Sequence, residues 1–215
     1  MPNLRLAPAA FRGDRGIVRW LNELEDRIND AIAELTDLAV DPWVKIDEQT
    51  AASSETLDFV SGISSTYLKY MLVLSGVRPD TPGEHLQLLV SEDTGTVWRD
   101  GAADYMYNVT QKRADTAGIT SVANSTGSAH VRCSGSLGED NEDALGGEIN
   151  FYTPSASINH HFAGELAHMD EIDIGVLSEF HGTYVGTTNA VDGVQLKMSS
   201  GKLAAGTVTL YGLSA

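Results

Sequence analysis

"SSGKLAAGTVTLYGL", residues 199–213, decides the fold. Ser199-Ser200-Gly201 has turn chemistry, a short apolar approach runs to Gly206, and Thr207-Val208-Thr209-Leu210-Tyr211 alternates polar with apolar. Alternation with period two marks a strand that buries one face. A terminus built this way is expected to be tied into a sheet. Gly206 and Gly212 fall where a bulge or a close backbone approach is needed, and Tyr211 reads as a packed ring.

The same pattern recurs upstream. Strand candidates lie at 56–60, 67–77, 85–93, 104–113, 130–137, 147–154, 159–167, 180–186, 193–200 and 207–213. Turn chemistry separates them at Ser61-Gly62, Arg78-Pro79-Asp80, Thr94-Gly95, Asp100-Gly101, Thr126-Gly127 and Asp192-Gly193. "STGSAH", residues 125–130, also reads as a turn. Short strands with no helix between them predict a mainly β domain over 43–215, an antiparallel β-sandwich of jelly-roll type.

Two segments precede it. Residues 1–13 hold two of the six prolines and read as an extended attachment arm. Residues 14–41 read as a helix with Asp14 as N-cap, stopped by Asp41-Pro42. Ile17, Leu21, Leu24, Ile28, Ala31, Leu35 and Leu38 recur with 3-4 spacing, while Glu23, Asp26, Asp30 and Asp37 line the opposite side. That stripe fits an amphipathic helix lying on its own domain. It fits better a short coiled coil, for which the flanking Trp20 and Ile32 widen the seam toward three strands. Three heptads are marginal alone, so the following domain is expected to contribute.

Composition narrows the function. The 215 residues carry 14 Lys and Arg against 30 Asp and Glu, for a formal charge of −16. Nucleic acid and anionic membrane surfaces are therefore disfavoured as partners. No run reaches the roughly 18 apolar residues of a membrane helix. The single cysteine, Cys133, excludes an intrachain disulfide and reads as a packed thiol within an alternating segment.

Catalytic signatures are not found. There is no nucleophile elbow and no glycine-rich phosphate loop, and no cofactor is expected. His160, His161, His168 and His181 cluster late, but adjacent histidines on a strand face opposite ways. Structural or solvent roles are the simpler reading. In the loop 135–148, Asp140, Glu142 and Asp143 offer oxygen ligands for calcium, without the spacing of an EF-hand. A solvated acidic loop is again the simpler reading. Trp98, Tyr105 and Tyr107 are the candidates for a glycan-facing platform, since sugar rings stack on aromatic faces. Core packing competes for the same rings.

The ordered segments "ASSETLDF" (52–59), "YLKYMLVLSGVRP" (67–79), "EINFYTPSA" (148–156) and "GVQLKMSSGKLAAGTVTLYG" (193–212) resemble a β-sandwich domain of bacteriophage and prophage structural proteins. The resemblance spans about four-fifths of the chain and contains no catalytic motif. It implies a non-enzymatic virion component of fibre, spike or decoration type, made in the host cytoplasm and located on the particle. Such a subunit is expected to be a homotrimer that holds other virion proteins (capsid, portal, collar or tail) through its N-terminal arm. The alternative is a carbohydrate-binding receptor-recognition module of a tail fibre, with a host surface glycan as partner.

Overall fold

The computed structural model describes residues 14–38, 42–152, 154 and 157–214, with side chains in the helix described over 19–31. The chain divides into two compact units, Met1–Asp41 and Pro42–Ala215. The expected arm, 1–13, lies outside the described residues.

In the first unit, α1 spans Asp14–Leu38, within three residues of the expected bounds. Its stripe is open: Leu21 and Ile28 are each 49% exposed and Trp20 38%. Leu24 is half-buried and Ala31 exposed, while the side chains of Ile17, Leu35 and Leu38 lie outside the described ones. Arg19 and Glu23 pair one turn apart at 2.9 Å, an exposed contact that adds only a few tenths of a kcal/mol.

The second unit is mainly β, in two antiparallel sheets. Its strands are β1 (Trp43–Ser54), β2 (Thr56–Phe59), β3 (Lys69–Pro79), β4 (Leu86–Ser91), β5 (Tyr105–Arg113) and β6 (Thr120–Ser128), then β7 (Val131–Arg132), β8 (Leu145–Tyr152), β9 (His160–Met169), β10 (Gly175–Tyr184), β11 (Gly193–Met198) and β12 (Leu203–Leu213). The large sheet runs β1-β12-β3-β8-β9-β10-β5-β6 and the small one β2-β11-β4-β7. Both sheets feed one core: Leu72, Leu74, Ile149, Phe162 and Leu210 from the large sheet meet Leu57, Leu88, Val90 and Leu196 from the small. Tyr70 stacks on Phe151 at 5.1 Å, and Phe151 meets Phe162 at 6.0 Å. Each such side chain taken out of water contributes about 1.5–3 kcal/mol before entropy is counted.

The last two strands are inserted, not appended. β12 pairs with β1 on one side and β3 on the other, while β11 lies between β2 and β4. The turn joining them is anchored to the β3–β4 connection, with Asp80 N donating to Lys202 O at 3.0 Å and Lys202 N to Asp80 Oδ1 at 2.8 Å. Gly206 sits at φ +115°, where the register against β3 shifts, and a Cβ there would lie 2.4 Å from Val77 Cα. A Cβ on Gly212 would meet the Tyr67 ring at 2.4 Å. Both glycines thus answer to close approach, as expected. Tyr211 is half-buried on the outer face.

Several expectations are corrected. Two strands, β1 and β6, were not anticipated; both lie at edges of the large sheet, where exposed polar residues erase the alternation. Residues 125–128, read as a turn, close β6 and pair with β5 through Tyr107↔Ser125 and Tyr105↔Ser128. The strand expected at 130–137 shrinks to Val131–Arg132. The sheets hold eight and four strands, an unequal division that the alternation of single strands does not encode.

Candidate functional site

The three aromatics expected to form one glycan platform are not brought together. Tyr105 is fully buried: its hydroxyl accepts from Val90 N at 2.9 Å and donates to Arg99 O at 2.9 Å, tying β5 to the strand of the other sheet. Trp98 is half-buried, its backbone bridged to Ser91 and its ring beside Gly193. Tyr107 is half-buried and stacks on the His130 ring at 6.3 Å. Tyr105 and Tyr107 do share one side of β5, as alternation places them, but that side is turned to the core: Tyr105 lies within it and Tyr107 packs against it.

The acidic loop is put to structural use. Asp143 is buried and its Oδ2 accepts from Asp140 N at 3.0 Å, closing the 3-10 turn Asn141–Asp143. Asp140 and Glu142 face solvent. Among the described residues no group of three His, Cys, Asp or Glu side chains converges in a way that could hold a metal ion. Alternation separates His160, buried against Asn189 O at 2.7 Å, from His161, exposed beside Thr183. Cys133 is fully buried, and burial pushes its thiol well above the ordinary range, which suppresses the reactive thiolate.

One buried pair has the wiring of a nucleophile and its base. His168 Nε2 lies 2.9 Å from Ser178 Oγ, and His168 Nδ1 lies 3.0 Å from Met169 O. Nδ1–H donates to that carbonyl, so Nε2 accepts the Ser178 hydroxyl proton. Ser178 Oγ also accepts from Gln111 Nε2 at 3.1 Å and Gly135 N at 3.2 Å. Both lone pairs are therefore engaged, and Ser178 is fully buried. The pair acts as a polar rivet joining β5, β9, β10 and the segment after β7.

The outer face of the large sheet carries two contrasting rows. In the first, Trp43, Leu213, Lys69 and Tyr152 stand in register on β1, β12, β3 and β8. Lys69 Nζ lies 5.5 Å from the Trp43 ring centre and 5.2 Å from that of Tyr152, within cation–π range of both. Tyr152 is 42% exposed. Toward the far edge the exposed rings of His161 and His181 stack at 6.0 Å. In the second row, Glu179, Glu165 and Glu148 stand directly opposite one another on β10, β9 and β8. Lys112 pairs with Glu179 at 2.5 Å, and a shallow depression lined by Val73 and Gly147 opens at Glu148 and Glu165. A face with flat rings, one cation and carboxylates nearby can take a polar ring compound against its surface.

The small sheet carries the opposite charge. Lys197, Gln87 and Arg132 stand side by side on the outer faces of β11, β4 and β7. His85 and His130 precede Gln87 and Arg132 by two residues and share their side. Gln87 is buried, with Nε2 3.2 Å from His85 Nε2 and 3.1 Å from His130 Nε2. The amide has one hydrogen for each ring, which makes both imidazoles acceptors at Nε2. Burial, reinforced by Arg132 and His130, holds the His85 pKa at about 4; burial and the Lys197 and Arg132 charges hold His130 below its usual value. Sequence reading missed this cluster, since its members come from three separated segments. Comparison with known protein families, curated proteins and solved structures finds no match for the chain.

Proposed function

We propose that this chain is a non-enzymatic structural subunit of a bacteriophage-type particle, a homotrimer joined through α1 and displaying the β-unit. The observation that carries the reading is the exposure of Leu21 and Ile28, one heptad apart on α1, in the first of the two compact units. Leu21 and Ile28 exposed at 49% are costly in a lone helix and ordinary in a coiled-coil seam. In this reading the arm 1–13 docks on other virion proteins, and the sandwich is jelly-roll-like. Support for the latter comes from β1 to β4, which alternate between the sheets strand by strand. Trimerisation multiplies weak contacts of the displayed units through effective concentration.

An antibody raised against residues 42–215 tests the role. It is expected to decorate purified particles from a culture that makes the chain; particles free of the chain, with the protein recovered only in the soluble fraction, contradict it.

A second reading is favoured by a specific surface. The row Trp43, Lys69 and Tyr152 is a better glycan platform than the residues first expected, because these groups are contiguous and reach solvent. A receptor-recognition module would use it to hold a host surface sugar.

A further inference from the structure

The −16 chain is dominated by carboxylates, yet on the small sheet it gathers two permanent cations and two imidazoles. The ion pairs among the described residues use Arg19, Lys45, Arg99, Lys112 and Arg113; none uses Arg132 or Lys197. The acidic residues of the flanking segments are committed elsewhere: Asp58 accepts from Gln195 Nε2 at 2.8 Å, and Glu84 accepts from Ser199 Oγ. Arg132 is half-buried, with Nε donating to Ser134 O at 2.8 Å, which fixes the plane of the guanidinium. Burial lowers its pKa, the signature of a cation desolvated without a carboxylate beside it. The two cations flank Gln87 on one face, so an ion of opposite sign between them is favoured by both.

We propose that Arg132, Lys197, Gln87, His85 and His130 form a binding site for an oxyanion group, a phosphate, sulfate or carboxylate. Arg132 supplies paired N–H donors in a rigid fork, Lys197 a mobile ammonium, and the buried Gln87 amide fixes the two rings between them. The site stands apart from the particle role and does not depend on it.

Anion binding here is linked to protons. In the empty site both rings are neutral and accept from Gln87. An oxyanion beside them favours imidazolium, whose Nε2–H groups become donors while the Gln87 amide turns over to offer Oε1. The other groups facing the rings are Arg132 on β7, Lys197 on β11 and Tyr107 on β5. Arg132 and Lys197 keep their charge throughout, so binding takes up protons and tightens as the solution is acidified.

Titration calorimetry on the full chain in a low-salt chloride buffer tests this. The probes are inorganic phosphate, and dextran sulfate against neutral dextran. Either anion is expected to bind and neutral dextran is not; dextran sulfate, whose charge does not change with pH, should bind more tightly at about pH 5.5 than at about pH 7.5. Phosphate binding assigns the site to a small free ion; dextran sulfate binding alone assigns it to a group carried on a polymer. Arg132→Gln and Lys197→Gln should each weaken binding about tenfold or more. Lys197 makes no buried hydrogen bond, so its variant reads the site even if Arg132→Gln fails to fold. Failure of both probes to bind up to about 10 mM, or binding that Lys197→Gln leaves unchanged, overturns the proposal.

Discussion

Tyr105 carries the lesson of the residue scale: its ring has the chemistry of a ligand platform, yet its hydroxyl closes a backbone N–H on β4 and a carbonyl at Arg99. Tyr105→Phe keeps the ring and removes both bonds, leaving Val90 N unpaired in the interior. A loss of about 1–3 kcal/mol in urea denaturation is expected, and an unchanged midpoint sinks the structural role. Alternation made the opposed faces of His160 and His161 and the burial of Cys133 legible in the sequence. It could not choose between core and surface for Tyr105, because a ring is acceptable on either face. Nor could it find the rivet of Gln111, His168 and Ser178, whose members are polar and distant in sequence.

At the scale of elements, the closing hairpin governs both sheets. β12 and β11 each lie between two strands, so neither sheet is continuous until they are in place. Gly206 is the tightest point of that insertion. Gly206→Ala meets Val77 backbone and a left-handed φ together, for an expected loss of about 2–4 kcal/mol. Gly118→Ala is the comparison: its φ is +96° but nothing lies within 4 Å, so the loss should be about half that or less. Equal thermal shifts for the two variants would remove the close-approach argument. Interior strands were legible from their alternation, and the turn at Gly201 from its chemistry. β1 was not, because the bulge between Lys45 and Asp47 breaks its period. β6 was not, because Ser, Asn and Gly carry no strand signal on an edge. The eight-and-four division follows from pairings such as Thr50↔Thr207, which join residues that share no local pattern.

For the whole molecule, the layout of helix followed by strands was legible, since the period changes from 3.5 to 2 at about Trp43. Charge told only half the story: the net −16 disfavours a broadly basic face, but strand pairing sets Lys197 and Arg132 on either side of Gln87 on the small sheet and lines up three glutamates on the large one. In the proposed particle role, copies meet through the helix while each sheet unit folds within its own chain. Light scattering on the purified full chain and on the double variant Leu21→Asp, Ile28→Asp tests this. The full chain should weigh about three times 23.0 kDa, and the double variant 23.0 kDa with its β-sheet circular dichroism retained. A full chain of 23.0 kDa at every concentration, or a variant as heavy as the parent, contradicts the account.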